Sequence, residues 1–243
     1  MTSIERIELA GDATSGSPQA ATALARLLVD RFSCRAFRPE PVPDNVVDRM
    51  LAIAQMAPSW CNTQPWIVTV TSGEATERFR AALQADLCDR TSMPGSDIAF
   101  PVAYTGVRLD RRREVGWQLY ESAGIAKGDR EASARQANEN QRLFGAPHVL
   151  LIHSNRELGS YGAIDCGVYL GTLLLAAQSL GLGIVPQAAL AQHSALIRRH
   201  FGIADDLQFV VAASFGYADT THPVNNFRSR RASVGESVRK ISQ

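Results

Sequence analysis

The sequence predicts a fold of mixed α and β character, and three observations lead there. Apolar residues recur at helical spacing in several stretches, such as Leu24, Leu27 and Leu28, or Val47, Met50, Leu51 and Ala54. Short apolar runs at Ile67–Thr71, His148–His153 and Gln208–Ser214 have the length of strands. Proline and glycine separate the two kinds of segment, as at Pro39, Pro41 and Pro43 and at Gly181 and Gly183. The length of 243 residues admits one large domain or two small ones and is enough to bury a sizeable core.

Residues Met1 to Ser17 turn small and polar and are expected to form a loose arm, 1–17, ahead of one domain over 18–243. They hold no apolar core of signal-peptide length. Pro18 suits the first turn of a helix that runs into Asp30–Phe37. After the prolines, Asp44 can cap a second helix, which Pro58 keeps from continuing. Ala57–Trp66 then forms a stiff loop in which Pro58 and Pro65 frame Ser59, Asn62 and Gln64 as hydrogen-bonding groups.

Beyond strand Ile67–Thr71, Gly73 breaks the chain and a helix is expected to about Cys88. Thr91–Pro101 reads as an irregular connection. Arg108–Ala123 and Asp129–Phe144 read as helices separated by Gly124 and Gly128. The run Asp110–Glu114 is a solvated helix face. His148 and His153 fall on opposite faces of their strand and read as structural. Asp165–Leu180 is apolar nearly all round, so it should be buried in the domain or between subunits, with Gly167 and Gly171 permitting close helix approach. Ser194–Phe201 is a short helix before the last strand. The tail, about 217–243, is basic and poor in apolar residues, and is expected to wrap another surface.

Composition narrows the function. Lys and Arg number 25 against 24 Asp and Glu, which gives no support to nucleic-acid or membrane-surface binding. No apolar run is long and charge-free enough to span a bilayer. Cys34, Cys61, Cys88 and Cys166 form no Cys-x-x-Cys pair, and read as reduced thiols of a cytoplasmic protein. Dinucleotide, phosphate-loop, serine-nucleophile and zinc-protease signatures are absent. Any chemistry would therefore fall to a bound cofactor.

Four separated pieces point to one. They are Arg31-Phe32-Ser33-Cys34-Arg35, Ala57-Pro58-Ser59-Trp60-Cys61-Asn62-Thr63-Gln64-Pro65-Trp66, Gly181–Ala189, and Phe215-Gly216-Tyr217 followed by Asn225 and Arg231. In order and spacing, over about residues 24–236, they resemble the nitroreductase family of FMN-dependent enzymes. The resemblance implies an α+β fold with a mixed central sheet flanked by helices. It also implies a homodimer with FMN in interfacial clefts, the tail wrapping the partner subunit.

Guanidinium forks suit phosphate and flavin oxygens. By resemblance Arg31 and Arg231 hold the phosphate with Ser33, in a segment that includes Phe32, with Arg228 nearby in the tail. Arg35 would sit at the flavin N1/O2 edge. Pro58, Ser59, Trp60, Asn62 and Gln64 match the loop that reaches the partner's flavin. Pro186, Gln187, Ala188 and Ala189 match the segment covering one flavin face. Asn140 or Arg142 matches the segment contacting the ribityl chain or pyrimidine. Ser229 stands where family members often carry a second basic residue, which shifts weight to Arg231. Trp60 lines the pocket or packs its own loop. Phe100, Tyr104 and Phe144 line the substrate cleft or belong to the core.

The implied activity is NAD(P)H-dependent reduction of a small aromatic acceptor, a nitroaromatic or a quinone. Hydride would pass through flavin N5 in ping-pong order, with no catalytic acid or base. The same resemblance leaves open a dehalogenase, an ene-reductase, a flavin-destroying enzyme or a non-catalytic FMN-binding protein.

Overall fold

A computed structural model of the chain describes residues 17–88 and 95–242. The expected arm lies outside these residues apart from Ser17, as does the 91–94 part of the expected connection. Ser17 caps α1 (Pro18–Asp30), its hydroxyl accepting the Ala20 N–H at 3.1 Å. Then follow α2 (Asp44–Ala54), β1 (Ile67–Thr71), α3 (Gly73–Cys88), α4 (Gly106–Ser122) and α5 (Arg130–Asn138). The second half holds β2 (His148–Asn155), α6 (Gly159–Ser179), β3 (Gly183–Gln187), α7 (Ser194–Phe201), β4 (Leu207–Gly216) and α8 (Val234–Ser237).

The strands lie in the order β1-β2-β4-β3, every neighbouring pair antiparallel. A parallel component comes from an isolated bridge, Ser33 to Ile184, on the outer edge of β3. Helices cover both faces. One cluster joins Met50 and Ala54 of α2 and Tyr169 and Leu173 of α6 to Leu150, Ile152 and Phe215 of the sheet. The other joins Phe79 and Leu83 of α3 and Ile197 of α7 to Val149, Leu151 and Phe209. Burial on both faces explains why β2 is buried from His148 through Ser154 and why its sequence does not alternate. A register shift at Ile152/His153 changes the parity of β4, so that Phe209 and Val211 pack on opposite faces. His148 stacks on Phe215 and His153 meets the edge of Phe209, which puts the two imidazoles on opposite faces.

Several elements differ from the sequence expectation. β3 carries Pro186, and it tolerates a proline because it is the edge strand of the ladder. The helix expected over 129–144 ends at Asn138, and turns follow to Leu143 and Phe144, which adopt φ of 56° and 54°. α6 starts earlier than expected, at Gly159. Within Arg156–Ser179 an 18-residue stretch has a mean hydropathy of 1.3, enough in length and composition for a bilayer; Tyr169, Leu173 and Ala176 of α6 instead pack in the core cluster. It is not buried all round: Tyr161, Ile164 and Val168 are exposed. Leu24 and Leu28 of α1 are exposed as well.

Burial of His153, with repulsion from Arg198, pushes its imidazole down from 6.5 to about 4. Its neighbour on the other face, His148, is lowered in the same direction by burial. The unfolded chain therefore takes up these protons before the folded one does. Stability is full above pH about 6.5 and is lost as pH falls towards about 4. Denaturant melts across this window should show that slope, and His153→Gln should flatten it. An unchanged slope would mean that His153 is protonated without cost.

Candidate active site

Arg31 leaves α1 as its C-terminal cap, and the chain then runs extended beside β3. The Cys34 N–H donates to the Ile184 carbonyl at 3.2 Å. Extended chain alternates its side chains, so Cys34 points into the core, where burial pushes its thiol up to about 11. It packs against the backbone of Gly183, where an added Cβ would lie 2.8 Å from the Cys34 sulfur. Ser33 and Arg35, on either side of Cys34, both line the adjoining cavity.

That cavity, about 480 Å³, is lined by Arg31, Arg35, Arg228 and Arg231 together with Phe32, Ser33, Val115 and Phe227, and, among the described residues, by no carboxylate. Burial, then the charge of Arg231, lowers the pKa of Arg31; burial lowers that of Arg35. Guanidinium groups stay protonated under such shifts, so the cavity concentrates positive charge. Aromatic rings support two of them: the Arg228 guanidinium lies 4.1 Å from the Phe32 ring centroid, and that of Arg35 lies 5.7 Å from Phe227. Arg231 Nη1 donates to the Ser229 hydroxyl at 2.7 Å.

Arg35 also lines a second cavity of about 250 Å³ with Tyr120, Asn140, Phe144, Val185 and Pro186. Asn140, and not Arg142, lines this space. Arg142 instead pairs with Glu139 at 3.3 Å. The Gln187 side chain is buried, so any cofactor contact at this position falls to its backbone. Its Nε2 donates to the Asn140 carbonyl at 2.8 Å and its Oε1 accepts from the Ser214 hydroxyl at 2.5 Å. The side chain thus braces the segment from behind. Ala188 is exposed and Ala189 half-buried on the turn that follows.

The loop after Pro58 makes a tight turn at Trp60–Asn62, with φ of 49° at Cys61, 56° at Asn62 and 47° at Gln64. Side chains hold this conformation. Both oxygens of the buried Asp165 accept the Trp60 N–H, at 3.2 and 3.1 Å. The Ser59 hydroxyl accepts the Gln64 N–H at 2.9 Å. Gln55 bridges Gln64 and the Trp66 indole at 3.0 Å each. Trp60 is 64% exposed and lies against Tyr161 of α6. Ser59, Trp60, Asn62 and Gln64 line neither of the two arginine cavities. Phe144 lines the second cavity and is buried, whereas Phe100 and Tyr104 are exposed and line neither; the core alternative does not hold for those two.

The sequence profile of the Nitroreductase family matches residues 28–217. The chain belongs to this family. It is 35% identical over 223 residues to nitroreductase NfnB of Mycolicibacterium smegmatis, covering 90% of this chain and 93% of that protein. It is 33% identical to a 4-nitrobenzoate reductase of Pseudomonas putida, over 84% of this chain and 89% of the relative. The crystal structure of the FMN-dependent NfnB from Mycobacterium smegmatis, in complex with NADPH, superposes with a TM-score of 0.86 at 34% identity. That superposition covers 91% of this chain and 99% of the other.

Sequence reasoning missed the residues that hold the site in shape. Gln55 and Asp165, which hold the loop after Pro58, and Val115, which lines the arginine cavity, belong to none of the motifs that the sequence marks. Asp165→Ala should leave the Trp60 N–H without its acceptor and cost about 1–3 kcal/mol. Asp165→Asn, which keeps one acceptor, should cost less. Equal thermal melts for wild type and Asp165→Ala would show that the loop is held by its other contacts.

Proposed function

We propose that this nitroreductase-family chain is an FMN-dependent NAD(P)H oxidoreductase that reduces nitroaromatics, of the 4-nitrobenzoate class, and quinones. The observation that carries this reading is the cavity where four arginines meet without a carboxylate. A phosphomonoester dianion fits that charge, and guanidinium forks bind it in two-pronged fashion. FMN has a phosphate at one end and a pyrimidine at the other. Arg35, common to both cavities, matches a ligand that extends from one into the next.

In this reading Arg31, Ser33, Arg228 and Arg231 hold the phosphate. Arg35 serves the pyrimidine edge, where positive charge favours electron density on the ring. Asn140 lies within reach of the same region. Pro186, Ala188 and Ala189 offer small side chains and backbone to the ring face. Bound FMN supplies the centre that takes hydride from the nicotinamide and passes it to the acceptor. The chain's own part is to position both substrates in turn on one face, so no side chain is assigned as acid or base. The NADPH in the structure of the Mycobacterium smegmatis relative supports NADPH as donor.

The active form in this reading is a homodimer. The exposed residues of α6, Tyr161, Ile164 and Val168, make a stripe with Gly167 and Gly171, beside whose backbones lies open space. Trp60 sits at the end of the same stripe. A second copy on this face would cover the apolar surface and bring Pro58, Ser59, Trp60, Asn62 and Gln64 to the other subunit's flavin. Trp60 would then line the acceptor pocket, with Phe144 on the opposite side. The tail runs along α4 of its own chain through the Arg230–Glu114 and Arg111–Glu236 pairs, yet leaves Val234, Val238 and Ile241 exposed for the partner. Four free cysteines support a cytoplasmic setting.

Initial rates of NADPH oxidation against 4-nitrobenzoate should give parallel double-reciprocal lines, since donor and acceptor use one face in turn. The same flavin-loaded sample should scatter light as a dimer at low micromolar concentration. Absence of turnover, intersecting lines or an active monomer would each contradict the corresponding part of this reading.

A further inference from the structure

Asn225 ends the tight turn Pro223–Asn225 that follows β4, and it is buried. Its Oδ1 accepts the Arg35 N–H at 2.8 Å. Its Nδ2 donates to the Ala36 carbonyl at 2.9 Å and to the Asp219 carbonyl at 2.8 Å. Its own main-chain carbonyl accepts from Arg228 Nη1 at 2.8 Å. One residue thus grips two chain segments that are 190 positions apart. Its side chain fixes the backbone that carries Arg35, and its carbonyl fixes a guanidinium of the tail.

The chemistry explains why the residue is asparagine. A carboxamide on a one-carbon stem offers one acceptor and two donors in a plane. Aspartate has the same shape but would set a second oxygen against two carbonyl oxygens. Alanine would leave the part-buried Arg35 N–H and both carbonyls without this partner. The neighbouring backbone pairs, Asp219 N–H to Ala36 and Arg38 N–H to Tyr217, hold the strands side by side, but they do not reach the tail arginines.

We propose that Asn225 is a positioning residue for phosphate recognition. It fixes the spacing between the Arg31–Arg35 segment and the Arg228–Arg231 segment, so the preference of the site for a phosphorylated flavin depends on it. The inference rests on the assignment of the four-arginine cavity to the FMN phosphate. Arg31 and Arg231 already repel each other. Without the tie, the two segments can relax apart, and the groups no longer converge on one anion. A residue that merely stabilised the fold would affect phosphorylated and unphosphorylated flavin alike.

The test uses the full chain stripped of flavin and titrated with FMN and with riboflavin, which lacks the phosphate. Wild type, Asn225→Ala, Asn225→Asp and Arg231→Ala are compared, with a thermal melt of each. Both Asn225 variants should lose about tenfold or more of the FMN-over-riboflavin preference, with riboflavin affinity falling much less than FMN affinity, since Arg35, whose N–H Asn225 holds, serves the pyrimidine edge that both flavins share. Arg231→Ala should lose the preference too. If the Asn225 variants keep the wild-type preference while Arg231→Ala loses it, the positioning role is overturned and the phosphate site stands. Parallel weakening of both flavins with a lowered melt would also overturn it, in favour of a purely structural role. If Arg231→Ala keeps the preference, the phosphate assignment itself falls, and this inference with it.

Discussion

Four arginines line one cavity, and the repulsion between Arg31 and Arg231 within it is the constraint that the local architecture answers. Like charges in a partly buried space interact far more strongly than in water. Each group is therefore held from behind. Arg31 is fixed by the end of α1 and Arg35 by the bridge of its loop to β3. Arg228 rests on Phe32, and Arg231 on Ser229. The ion pairs that lash the tail to α4 are solvent-exposed and contribute little alone. In the proposed reading, phosphate rather than the protein completes the electrostatics of the site.

Much of this was legible in the sequence, for physical reasons that differ by element. Strand Ile67–Thr71 and helix Ser194–Phe201 stand where their patterns place them, because local periodicity and punctuation coincide with the tertiary environment. Pro186 concealed β3, since a proline argues against a central strand and says nothing about an edge. The overrun past Asn138 has another cause. Leu143 and Phe144 keep helical spacing with the preceding turn, yet they pack from a left-handed backbone that no apolar pattern discloses. In the site, the arginines were legible because their charge has few other uses in such a motif. That the Gln187 side chain turns inward was not legible, because a motif gives a position but not the direction of a side chain.

The single chain is complete in its core and incomplete on its surface. Both faces of the sheet are covered by helices, so burial there needs no partner. The stripe of α6 beside Trp60, and the apolar side chains of α1 and the tail, remain in water. Large apolar surface of this kind marks an interaction face. A two-fold arrangement would let the strained loop after Pro58 complete a site to which its own chain gives it no access. In that arrangement Asp165 would have a consequence for function: it would fix from the core a loop whose use lies in the neighbouring subunit.

The central claim is that the arginine cavity holds a phosphomonoester dianion. Phosphorus NMR of FMN bound to the full chain, followed from acid to neutral pH, tests it most directly. A phosphomonoester free in water takes up a proton near pH 6. Held by the guanidinium groups of Arg31, Arg228 and Arg231, it should remain a dianion, with no change in chemical shift from pH about 5 to about 8. A bound phosphate that titrates near its free value would place it outside the arginine cavity and contradict the account.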